Sequence, residues 1–169
     1  MKHMKKSISF AILMFALTAA TFAQVSATAT ASATIVGPIG ITNSANMNFG
    51  NVAVSAALGT VVLAPAGTRT VTGGCTLPVI TGTVTAAAFN VTGAANYTYA
   101  ITLPGSVTIT DGTNNMTVDT FTSNPTPTGT IGAGGSEALT VGATLHVAGS
   151  QVAGTYTTAA PFSVTVNYN

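Results

Sequence analysis

Very few side chains in this sequence can do acid–base, nucleophilic or metal chemistry. Cys75 is the only cysteine, His3 and His146 are the only histidines, Asp111, Asp119 and Glu137 are the only carboxylates, and Arg69 is the one cation beyond residue 6. A catalytic triad would have to be built on His146, and no Gly-x-Ser-x-Gly elbow presents a serine to it. Paired carboxylates for glycoside hydrolysis could come only from Asp111, Asp119 and Glu137. Each has a simpler structural reading. Asp111 opens an Asp-Gly turn, while Asp119 and Glu137 fall at solvent-facing strand positions, with Arg69 available to pair with one of them. A single thiol makes neither an internal disulfide nor a cysteine-based metal cluster. Beside Gly73-Gly74 it reads as a buried small apolar residue, with an intermolecular disulfide as the sharper alternative. His146 falls with Thr140, Gly142 and Thr144 on the polar face opposite Leu145, an exposed strand position. The glycine-rich residues 129–135 lack the lysine and following helix of a phosphate loop and read as a flexible connection. No enzyme, cofactor or metal centre is expected.

The elements around these residues are foreshadowed by composition. Only 4% of the 169 residues are charged, against about a quarter in ordinary soluble domains. Three of the four Lys/Arg are Lys2, Lys5 and Lys6, followed by an apolar run over residues 8–20 and by Thr21-Phe22-Ala23. That order is a secretory signal peptide over residues 1–23, cleaved before Gln24. A membrane-spanning helix needs about 20 apolar residues, so the processed chain is not expected to be an integral membrane protein. Processing leaves Arg69 as the only cation against three carboxylates, and the net charge turns negative. Without a basic surface, nucleic acid is excluded as a partner.

Thr, Val, Ala, Gly, Ser and Asn dominate what remains, and its apolar residues recur with period two rather than 3.6. The expected fold is all-β, an antiparallel immunoglobulin-like sandwich in one domain over residues 37–169. Residues 25–36 alternate Ala27, Ala29, Ala31 and Ala33 against Thr28, Thr30, Ser32 and Thr34 before Gly37-Pro38 breaks the run. Met47, Phe49 and Val52 suggest a second strand. Residues 61–64 and 68–72 flank a Pro65-Ala66-Gly67 turn, and residues 107–110 and 116–121 flank Asp111-Gly112-Thr113-Asn114, so both pairs predict hairpins. Further runs cover residues 88–92 and 97–103, and residues 124–135 form the longest loop. Leu139, Val141, Ala143, Leu145 and Val147 share one face, as do Phe162, Val164, Val166 and Tyr168 in the last strand. Asn90-Val91-Thr92, Asn96-Tyr97-Thr98 and Asn115-Met116-Thr117 match the glycosylation acceptor pattern, which arises readily by chance in a Thr-rich chain.

Several stretches in order carry a family resemblance: residues 27–41 (ATATASATIVGPIGI), 48–52 (NFGNV), 87–104 beginning at Ala87, 139–145, and Gly154-Thr155-Tyr156 followed by residues 162–169. In these the chain resembles the DUF4402 proteins, small exported bacterial domains. Its ending is also similar to those of spore-coat-U-type and chaperone–usher pilin domains, where a Gly-Thr-Tyr turn precedes a final alternating strand with a penultimate Tyr. What this resemblance implies is a donor strand over residues 24–36, presenting Val25, Ala27, Ala29, Ala31, Ala33 and Ile35, and an acceptor edge containing Phe162, Val164, Val166 and Tyr168. Ala stands where pilin donors carry larger apolar groups, and the paired cysteines of pilins are missing. The same residues 24–36 also fit an ordinary first strand or a flexible leader. The expected function is a non-enzymatic, secreted structural subunit of a cell-surface fibre or coat. It would be a homo-oligomer, served by a periplasmic chaperone and an outer-membrane usher. The alternative is a monomeric exported module that adheres to carbohydrate.

Overall fold

The computed structural model describes residues 24–169; the signal peptide expected over residues 1–23 lies outside the described residues. The chain divides into two units, Met1–Ile35 and Val36–Asn169. In the first unit, residues 24–35 form no strand. The second unit is all-β and antiparallel among the described residues.

Its strands are β1 (Gly40–Ala45), β2 (Ala53–Leu63), β3 (Arg69–Thr76), β4 (Ala87–Thr92), β5 (Thr98–Thr102), β6 (Ser106–Thr110), β7 (Asn115–Asn124), β8 (Thr128–Thr130), β9 (Ser136–Val147), β10 (Thr157–Thr158) and β11 (Thr165–Tyr168). The larger sheet runs β1-β4-β9-β7-β6-β10, with β2 on β9 and β3 on β2, and the smaller runs β11-β5-β8. β9 is the axis of the larger sheet. One of its edges is taken by β7, and the other is shared end to end by β4, up to Val141, and β2, from Ala143 onward. Gly142 sits at that junction, where a Cβ would collide with the Leu63 carbonyl, so only glycine lets the two partners meet.

The alternation expected of β9 is present: Leu139, Val141, Ala143, Leu145 and Val147 are all buried. Two apolar clusters result. In one, Val91, Leu139 and Val141 of the larger sheet pack with Tyr99 and Val166 of the smaller, and Ile131 completes it. The two sheets therefore face each other over this cluster, as in a sandwich. In the other, Val61, Cys75, Val118, Ala143, Leu145 and Val147 are covered in part by Met47, Phe49 and Val52.

Both expected hairpins form, with Leu63 opposite Arg69 and Thr110 opposite Asn115. Elsewhere the structure corrects the sequence reading. Residues 25–36 carry no strand, because a strand exists only as part of a ladder and this segment has no ladder partner among the described residues. The first strand is instead β1, beyond the Gly37-Pro38 break. Met47, Phe49 and Val52 point into the core without forming a strand: Gly50 turns the chain at φ 65°, and pairing reduces to one bridge, Asn48 to Thr85. Arg69 explains how that irregular segment is held. Its Nη1 donates to the carbonyls of Phe49 and Asn51, so it pairs with backbone and not with a carboxylate. The supposed loop over residues 124–135 contains β8, which pairs with β5, and Ile131 within it is fully buried.

Candidate functional site

The C-terminal strand supplies the most distinctive surface. Among the described residues, β11 pairs with β5 alone and stands at the end of its sheet, while β1 pairs with β4 alone at the end of the other sheet. β1 and β11 approach each other without a ladder between them. The outer edge of β11 thus presents backbone N–H and C=O groups with no strand neighbour. Behind it, the side chains alternate: Val166 is buried, and Phe162, Val164 and Tyr168 are half-buried against the inter-sheet core. The rings of Phe162 and Phe121 lie 5.2 Å apart. Ile39 and Ile41, next to and within β1, are half-buried against the same core. Thr165 and Asn167 face outward.

Tyr168 fixes this end of the sandwich. Its hydroxyl accepts from the Ala94 amide at 2.6 Å and donates to the Gly37 carbonyl at 3.1 Å, and its ring meets Tyr97 edge-on at 5.7 Å. One side chain therefore joins the last strand, the turn between β4 and β5, and the residue at which residues 24–36 leave the sandwich. Gly93 makes room for it, since a Cβ there would strike the Tyr168 hydroxyl.

The ten residues singled out in the sequence divide into two sets. Phe162, Val164, Val166 and Tyr168 come together on one core, but only Val166 and Tyr168 lie on β11, since Phe162 and Val164 precede the strand. Val25, Ala27, Ala29, Ala31, Ala33 and Ile35 all lie in the strandless residues 24–35 and are exposed, Val25 and Ile35 at 94% and 91%.

The ionisable groups behave differently from one another. The Asp111 carboxylate accepts from the amides of Thr113 and Asn114, at 2.9 and 2.6 Å, and from Asn114 Nδ2 at 2.9 Å. Asn114, through side chain and backbone, with Thr113 behind it, lowers its pKa to about 2. This is the Asp-Gly turn read from the sequence. Asp119 and His146 face outward, as expected, and join: His146 Nε2 lies 2.8 Å from Asp119 Oδ1. That bond, aided by Thr120, holds the Asp119 pKa below the usual carboxylate range. Cys75 is buried and free, and its burial pushes the thiol pKa up, which fits the structural reading of this residue.

Glu137 corrects the sequence reading. It lies opposite Val91 in the β4–β9 ladder, so it points inward with Val91 and Leu139. Burial, with Glu137 close by, raises the Tyr99 pKa. Neither the Tyr99 hydroxyl nor Glu137 Oε2 reaches a hydrogen-bond partner. The signal was present, because the alternation that buries Leu139 and Val141 also turns residue 137 inward. The Tyr168 bridge to Gly37 and Ala94 had no comparable signal, since it joins residues 131 and 74 apart along the chain.

Fold and surface together define an antiparallel β-sandwich with open strand edges at its C-terminal end. The chain belongs to the DUF4402 family, described as a domain of unknown function, with the match covering residues 39–168. No curated protein and no solved structure matches the chain.

Proposed function

We propose that this protein is a secreted structural subunit of a cell-surface fibre or coat, assembled when residues 24–36 of one copy add as a strand to β11 of the next. One observation carries the reading: among the described residues β11 offers an edge without a strand neighbour, beside half-buried Phe162, Val164 and Tyr168, while the same chain has an exposed, charge-free alternating segment without a strand partner there. Strand addition satisfies both at once. Main-chain ladders supply affinity, and alternate side chains entering the seam supply register. The small donor side chains Ala27, Ala29, Ala31 and Ala33 suit an acceptor already partly filled by its own residues. With so few charges, copies repel one another weakly on approach.

On this reading the protein works outside the cytoplasm after signal-peptide removal. A periplasmic chaperone to shield the open edge and an outer-membrane usher are the accessory partners it would use. Deleting residues 24–36 should abolish polymer, read as loss of detergent-resistant ladders in unboiled gel samples and of filaments by negative stain, while a soluble domain remains. Normal filaments from the truncated protein would refute it.

A further inference from the structure

The outward face of the larger sheet carries polar side chains in register. Pairing places Thr72, Thr60, His146, Thr117 and Thr108 side by side across β3, β2, β9, β7 and β6. Val61, Leu145 and Val118 on the three central strands, one residue along, are buried on the opposite face. With strands about 4.8 Å apart, the rank is roughly 19 Å long. A shallow hollow of about 460 Å³, open to solvent, lies over it and is lined by Leu58, Thr60, Thr108, Met116, Thr117 and His146 among others.

The chemistry of this hollow is restrictive. Among the described residues it is lined by no Lys or Arg, so no fixed cation there would hold a phosphate, a sulfate or an acidic polymer. Asp119, beside it, already accepts from Thr120 at 2.9 Å and engages His146. His146 Nε2 is taken up by that carboxylate, which leaves Nδ1 to meet a ligand. The threonine hydroxyls each donate and accept, and the Asn115 amide at the rim does both. Leu58, 74% exposed, adds apolar surface at the same place. A ligand that suits all of these is neutral, has many hydroxyls that donate and accept, and has a C–H face to lay on Leu58.

We propose that this hollow binds a neutral polysaccharide chain, laid across the strands along Thr60, His146, Thr117 and Thr108. The site uses no residue of β11 or of residues 24–36, so it stands or falls apart from strand addition.

The test is a titration of the processed, isotope-labelled protein with cellohexaose, xylohexaose and maltohexaose, with polygalacturonate as the acidic comparison. The amide resonances of Thr60, Thr108, Thr117 and His146 should shift saturably with at least one neutral oligosaccharide. The Thr108→Val/Thr117→Val double variant, which keeps β-branched shape, should weaken that binding about tenfold, as expected for two lost hydrogen bonds. The His146→Ala variant should weaken it by a similar factor, with both variants still unfolding cooperatively. Three results would each overturn the proposal: no neutral oligosaccharide shifting these amides in the millimolar range, binding unaltered by both variants, or shifts produced only by polygalacturonate. The mapping on unaltered protein stands even if a variant fails to fold.

Discussion

Replacing Tyr168 by Phe isolates the hydroxyl that ties three parts of the sandwich together. The ring remains, so its edge contact with Tyr97 and its packing on the inter-sheet core are kept. What is lost is one hydrogen bond from the Ala94 amide at 2.6 Å and one to the Gly37 carbonyl at 3.1 Å. An ordinary hydrogen bond contributes about 0.5–1.5 kcal/mol net, and a part-buried N–H left without a partner costs more, about 1–3 kcal/mol. Gly37 is more exposed, and water replaces its lost donor cheaply. The two together give a destabilisation of about 1–3 kcal/mol, equivalent to several degrees in Tm for a domain of this size. Urea unfolding followed by circular dichroism should show a lower midpoint with an unchanged m-value, since the area exposed on unfolding is the same. Amide exchange should accelerate at Ala94 and along β11 before it does in β9. A change under about 0.5 kcal/mol would refute the claim that Tyr168 clamps this end of the fold.

Other outcomes follow from the same geometry. Gly142→Ala drives a Cβ into the Leu63 carbonyl at the junction of β2 and β9; backbone must move, so a loss of about 3 kcal/mol or more, or failure to fold, is expected in the same unfolding assay. Glu137→Met replaces a carboxylate whose Oε2 is buried without a partner by an apolar chain of similar length, and should raise stability by about 1 kcal/mol. Asp111 has a folded pKa of about 2 against about 3.9 unfolded, so between those values the unfolded chain binds more protons. Its contribution to stability is full above about pH 4 and is lost as pH falls toward 2, and Asp111→Asn should flatten that part of the stability–pH curve.

Much of the fold is legible in the residue pattern where one face is buried and the other wet. β9 is the clearest case, because five alternate apolar residues can only be aligned in a strand. The Asp111 turn is equally readable, since its hydrogen bonds are all local. β8 was hidden because Thr-Gly-Thr has no alternation to see. Gly129 within it is required by the Tyr99 ring lying over it from β5, a contact made across the sheet. Met47, Phe49 and Val52 misled in the opposite sense: their spacing is that of a strand, but Gly50 and the Arg69 bonds to Phe49 and Asn51 shape an irregular segment whose side chains are still half-buried against the core. At the candidate site, the half-buried alternation of Phe162, Val164, Val166 and Tyr168 was readable, while which edge of their strand lacks a partner depends on the whole topology.

The most direct measurement of the central claim uses the domain without residues 24–36 and a synthetic peptide of those residues. Titrating the peptide into isotope-labelled domain should give saturable binding, with the largest amide shifts and new exchange protection along Thr165–Tyr168 and the neighbouring β1. No binding, or shifts confined to β3 or β8 at the other sheet edges, would contradict assembly by strand addition at β11.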